Sequence, residues 1–192
     1  WMAGACASAP RRWPACRGTH NAIVVAERLR ARGISSDAIA QVTVSSVPPN
    51  DMLFVPRAQR IAPQTAIDAK FSIPFVLSKA LEDGTVNLAS FDKAQLQSPA
   101  SRDFAQRVHF DNLLPAGSPE AIYEVKLADG AILAETVDTV PVWRAQTIAL
   151  PDLLDKVRSS FAASGKSIDH ERFLSAIAGI ESDGIAPIMA ML

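Results

Sequence analysis

The chain has 192 residues, 48% of them hydrophobic, enough for one sizeable core or two small ones. Nineteen Lys and Arg against 20 Asp and Glu leave a formal charge of −1, which removes the electrostatic reason to expect nucleic acid or an anionic membrane surface as a partner. Two cysteines, Cys6 and Cys16, and three histidines, His20, His109 and His170, are too few for a disulfide scaffold and fall in no structural zinc spacing, so a soluble, cytoplasmic chain without a metal or other cofactor is expected.

Residues 1–10 carry neither a capping signal nor an apolar period, and the chain opens on Trp1, so they read as a truncated leader. Arg11 and Arg12 follow the small residues, the wrong order for a signal peptide, and no run of about 18 apolar residues offers a membrane span. After a loop from Arg11 to Gly18, Ala22, Val25, Ala26 and Leu29 recur at helical spacing and predict a helix over His20 to Arg32, with Thr19 as its cap and Gly33 as its stop. Alternation over Gln41 to Val47 predicts a strand halted by Pro48-Pro49, and Pro48 to Pro63 reads as loop.

Helical spacing returns from Gln64 to Leu81, where Pro74 either kinks one helix or sits in the first turn of a second helix capped by Ser72. Asp83-Gly84 ends it. Ser98-Pro99 predicts a short helix to Val108, and the runs Ala121–Leu127 and Ala131–Val137 across Ala128-Asp129-Gly130 predict a hairpin. Beyond Val140 only helix is expected, with Leu153, Leu154, Val157 and Phe161 on one face, Phe173, Leu174, Ile177 and Ile180 on the next, and a last turn or two from Ile185. The order of elements predicts an α+β fold followed by a helical segment.

Chemistry concentrates in two places. Arg11, Arg12 and Arg17 precede Gly18-Thr19 and a helix N-terminus, and guanidinium forks beside unpaired helix N–H groups favour a carboxylate or phosphate. His20 stands at the positive end of that helix, which favours the neutral imidazole a general base requires, and Cys16 lies in the same field. The alternative is plain: arginines before a helix are usually solvated and a single Cys or His is usually packing, and no P-loop, G-x-S-x-G or dinucleotide fingerprint is present. In the second place, Asp68 to Phe75, Lys70 and Ser72 either point a cation and a hydroxyl into a cleft or serve as a surface residue and a cap. His109 beside Asp111 and His170 beside Glu171 read as surface pairs at helix ends.

Two segments carry a resemblance. RRWPACRGTHNAI resembles the K-x-[YF]-P-x-C-x-x-x-H-x-A-I segment of the MmgE/PrpD family, which includes 2-methylcitrate dehydratase and cis-aconitate decarboxylase. DAKFSIPFVLSKALEDG, followed by FDKAQL, resembles that family's D-A-K-F-S-[IL]-P-[YF] block ending in Asp-Gly. The resemblance, covering Arg11 to Leu192, implies an α+β lid domain over residues 11–140 and, over 141–192, the C-terminal helical strip of a large helical domain whose N-terminal part is missing. It implies a lyase or isomerase acting without cofactor on small di- or tricarboxylates by dehydration, decarboxylation or epimerisation, as a homodimer in the full-length parent.

Such reactions move a proton at a carbon next to a carboxylate, so the site must hold anionic oxygens and place an acid or base. The resemblance casts Cys16 and His20 as catalytic and Arg11, Arg17, Lys70 and Ser72 as substrate-binding. Relatives such as cis-aconitate decarboxylase use a lysine and a histidine five residues apart where this chain has Arg11 and Cys16. A guanidinium with a pKa above about 12 binds a carboxylate but shuttles no proton. Phe75 stands where certain members have a Tyr hydroxyl. A second expectation is therefore a non-catalytic binding or interaction domain that kept the fold and lost the chemistry. A third is a truncated product whose last helices expose an apolar face.

Overall fold

The computed structural model describes residues 12–118, 120–138, 150–165 and 168–191, and for residues 150–153 the backbone alone. Arg11, the leader over residues 1–10 and the boundary after Val140 lie outside the described residues, as does the Leu153 side chain. Contacts divide the chain into two compact units, Trp1–Thr147 and Ile148–Leu192.

In the first unit the 20–32 period becomes α1 (His20–Ala31), with Ala22, Val25, Ala26 and Leu29 fully buried. Gly33 follows it at φ 76°, a left-handed conformation that a side chain rarely adopts. Thr19 does not cap α1 with its side chain: its hydroxyl turns back to the Cys16 carbonyl at 2.7 Å, because a 3-10 turn, Arg17–Thr19, leads directly into the helix.

The strand is β1 (Ile39–Ser46), and the stretch read as loop contains structure of its own: a 3-10 turn, Asn50–Leu53, and helix α2 (Arg57–Ile61). Neither has a long apolar period. The Arg60 side chain organises them by donating to the carbonyls of Met52, Val55 and Asp68.

Two helices, α3 (Ala66–Lys70) and α4 (Ile73–Asp83), resolve the question posed by Pro74. Ser72 accepts from the Phe75 amide at 3.1 Å, so the proline occupies the first turn of a new helix, where its missing N–H costs nothing. Every residue of α4 from Ile73 to Leu81 is buried, as expected of a helix packed on more than one side, and it contacts both α1 and α6 (Pro99–Gln106). A short α5 (Lys93–Leu96) precedes α6.

The predicted hairpin forms as β3 (Glu120–Leu127) and β4 (Ile132–Asp138). The segment following α6 is a strand that the sequence pattern did not reveal, β2 (Val108–Leu113). Its first residue alone is buried, so the strand has no alternating signature. Pairing fixes it instead: Val108, His109 and Phe110 lie parallel to Val42, Thr43 and Val44. His109 and Asp111 therefore stand on an edge strand and not at a helix end, with partial burial and the Arg57 charge lowering the His109 pKa.

The four-stranded sheet runs β2-β1-β3-β4, parallel in its first pairing and antiparallel in the others. One face, formed by Val42, Val44, Tyr123, Val125 and Val137, joins the core with α1 and α4, and outward-facing positions such as Glu124, Lys126 and Thr136 are exposed. Mixed helix and sheet make this an α+β domain.

The second unit contains α7 (Leu150–Ser164) and α8 (His170–Ala178), then two short turns of helix, Ile180–Asp183 and Ala186–Met189. Asp169 caps α8 through the amides of Glu171 and Arg172, and the Phe161 ring lies 4.9 Å from Phe173 and 5.9 Å from His170. Among its described residues Ile168 and Ile188 are the buried apolar ones, and Ile177, Ile180, Ile185 and Met189 are exposed. No helix among the described residues is long and apolar enough to cross a membrane.

Candidate functional site

The turn between Arg12 and Thr19 is pinned from several directions. Trp13, 2% exposed, donates its indole N–H to Thr85 Oγ1 at 3.3 Å, which ties the turn to the segment just beyond α4. The Cys16 amide donates to the Lys70 carbonyl at 3.0 Å, and the Cys16 carbonyl accepts from both the amide and the hydroxyl of Thr19. Gly18 closes against Asn50 and Leu53 so tightly that a Cβ there would lie 2.7 Å from each side chain. The two chemistry-bearing regions of the sequence, the Cys16 turn and the Lys70–Ser72 turn, are thus hydrogen-bonded to each other through the backbone.

The individual side chains take different parts. Cys16 is a free, half-buried thiol, and Arg17 beside it is half-buried. Arg12 lies along the flank of α1, pairing with Glu27 at 3.5 Å and stacking 4.7 Å over the Trp13 ring. His20 is 1% exposed and meets Trp13 edge-on, with ring centroids 5.1 Å apart. So enclosed, its ring packs against the Trp13 side of the turn.

Ser72 resolves to the cap of the two alternatives. Its hydroxyl donates to the Arg60 carbonyl at 2.6 Å while accepting from Phe75, and the residue is fully buried. Lys70 directs its ammonium over the Phe91 ring, 5.2 Å from the centroid, while its carbonyl accepts from the Cys16 amide. Arg11 lies outside the described residues.

Sequence reasoning did not single out Asn21 and Tyr123. Asn21, next to His20, accepts the Tyr123 hydroxyl at 3.0 Å, and burial raises the Tyr123 pKa well above its usual range. This bond fastens the first turn of α1 to the centre of the sheet. A tyrosine at the middle of a predicted strand was the available signal, but its partner depends on the tertiary fold.

Among the described residues no group of three or more His, Cys, Asp or Glu side chains could hold a metal ion. What the turn can do is present a thiol and a guanidinium from a rigid backbone, an arrangement suited to an anionic ligand.

The first unit is thus an α+β domain in which a cysteine-containing turn is hydrogen-bonded to the junction between α3, capped by Thr65, and α4, capped by Ser72. The sequence matches the family model of the MmgE/PrpD C-terminal domain over residues 13–181, and the chain belongs to the MmgE/PrpD family. Members of that family are generally lyase-type enzymes. A comparison with curated proteins found no match.

Proposed function

We propose that this chain forms the lid side of a cofactor-independent lyase or isomerase site for small di- or tricarboxylates, completed by the family's helical domain. The observation that carries this reading is the bond from the Cys16 amide to the Lys70 carbonyl, which brings together the two segments bearing the family motifs. A family match spanning both segments supports it. In this reading Arg17, together with Arg11, binds substrate carboxylates at the rim, and Cys16 lies beside the reacting carbon. His20 is a positioning residue that holds Trp13 and hence the turn, and Ser72 shapes the site as a cap.

Arg11 in place of a lysine shifts the work of this loop from moving a proton to neutralising charge. The proton then has to be exchanged with a group of the helical domain. Residues 11–140 act as the lid and 141–192 as a strip of the helical domain, with homodimers as the working assembly.

The test is turnover of 2-methylcitrate and cis-aconitate, followed by loss of substrate in the chromatogram. The chain alone is expected to give none, and the chain combined with an N-terminal MmgE/PrpD domain is expected to give activity that Arg17→Ala reduces by about 10²-fold, as for loss of a charge-assisted contact in the transition state. Robust turnover by the chain alone, or an active assembly indifferent to Arg17→Ala, refutes it. The rival, a binding domain without chemistry, is favoured by Arg11 and Phe75 and opposed by the retained Cys16-Arg17-Gly18-Thr19-His20 run. Arg11→Lys in the active assembly separates the two, because only the enzyme reading expects the rate to change.

A further inference from the structure

A cavity in the first unit lies between the start of α3 and the α5–α6 segment. Its volume is about 460 Å3, within the range of small-molecule sites. Phe91, Leu96 and Pro63 supply its apolar wall, and Lys93 and Arg102 bring two cations to its lining. No carboxylate lines it, and neither Lys93 nor Arg102 has an ion-pair partner among the described residues. The Thr65 hydroxyl at the rim is already committed to Asp68, which it meets at 2.7 Å.

The walls are held from behind. Lys79, 2% exposed on α4, donates to Gln95 of α5 at 2.7 Å, and Ser101 of α6 donates to Glu82 at 3.0 Å. Those anchors secure the two wall helices while their neighbours Lys93 and Arg102 remain exposed and available. Lys70 places its ammonium 5.2 Å from the centroid of the Phe91 ring, a third positive charge near the apolar wall.

We propose that this cavity is a second binding site, for a small organic carboxylate that carries an apolar arm. The carboxylate pairs with Lys93 and Arg102, and the arm lies against Phe91 and Leu96. Preference for an arm distinguishes the site from a general anion trap, since desolvating apolar surface adds affinity that a bare charge does not gain. The proposal stands independently of the reading of the Cys16 turn.

The experiment is a titration of the 192-residue chain with benzoate, acetate and inorganic phosphate, followed by calorimetry and amide chemical shifts. Benzoate is expected to saturate and to bind at least about tenfold more tightly than acetate or phosphate, with shifts at Phe91, Gln64 and Gln97. The double variant Lys93→Glu with Arg102→Glu is expected to weaken benzoate by about tenfold or more, and the single changes Lys93→Gln and Arg102→Gln by roughly threefold each. Arg17→Ala is expected to bind benzoate as the parent does. The proposal is overturned by absence of saturation up to about 10 mM benzoate, by equal binding of acetate or phosphate, by charge variants that bind as well as the parent, or by loss of binding in Arg17→Ala.

Discussion

Gly18→Ala tests whether the candidate site rests on a fixed turn. A Cβ at this position would lie 2.7 Å from both Asn50 Oδ1 and Leu53 Cδ1, where ordinary contact begins at 3.4 Å, so these neighbours have to retreat. They have little room: Leu53 is 1% exposed and Asn50 8%, and the Asn50 amide donates to Ser46 at 3.1 Å. Overpacking of this kind costs about 1–3 kcal/mol, and loss of the Asn50–Ser46 bond adds about 0.5–1.5 kcal/mol. The expected destabilisation is thus about 2–4 kcal/mol, or roughly 5–12 °C in Tm for a chain of this size. Urea unfolding followed by circular dichroism measures it, and amide exchange at Cys16 reports whether its bond to Lys70 loosens together with the turn. A loss below about 0.5 kcal/mol, with unchanged protection at Cys16, would refute the account of a turn clamped between α1 and the 50–53 segment.

Three further predictions concern the frame around the site. Burial raises the pKa of Tyr123, the chain's one tyrosine, so the folded state retains its proton where the unfolded chain loses it. Its contribution to stability is complete below about pH 10 and is lost as pH rises beyond that, at about 1.4 kcal/mol per pH unit. Phenolate absorbance should appear only with unfolding, and Tyr123→Phe should flatten the alkaline slope. Glu135 is buried on β4 beneath Arg28 and Arg32, which are 45% and 51% exposed, so the two sides of this cluster differ in cost. Removing both arginines strands a buried carboxylate and should cost about 3 kcal/mol or more, whereas Glu135→Ala releases exposed arginines to water and should cost about 1–2 kcal/mol in urea unfolding. Lys79 pairs with Glu82 at 2.9 Å and Asp83 at 3.2 Å, and Lys79→Met, which keeps the packing of the stem, should be less destabilising in thermal unfolding than Lys79→Ala by about 1 kcal/mol or more.

Elements whose signals are local can be read from the residues alone. The α1 period, the Ser72 and Ser98 caps with their first-turn prolines, and the Ala128-Asp129-Gly130 hairpin are written in residues a few positions apart, and each forms as its own dihedral and hydrogen-bonding preferences require. The family was legible for the same reason, since its motifs are contiguous strings. Features that depend on partners distant in sequence emerge only as the chain packs. Strand β2 exists because β1 offers a ladder to Val108–Leu113, and α2 is held by Arg60 reaching for carbonyls on both sides of it. The parts played by single residues at the site followed the same rule. Thr19 suits a helix cap, yet its hydroxyl turns to the Cys16 carbonyl, and the neighbours that His20, Lys70 and Ser72 meet, the Trp13 ring, the Phe91 ring and the Phe75 amide, come from the fold and not from the local string. A side chain's chemistry is fixed by its type, but where that chemistry points is settled only when the chain closes around it.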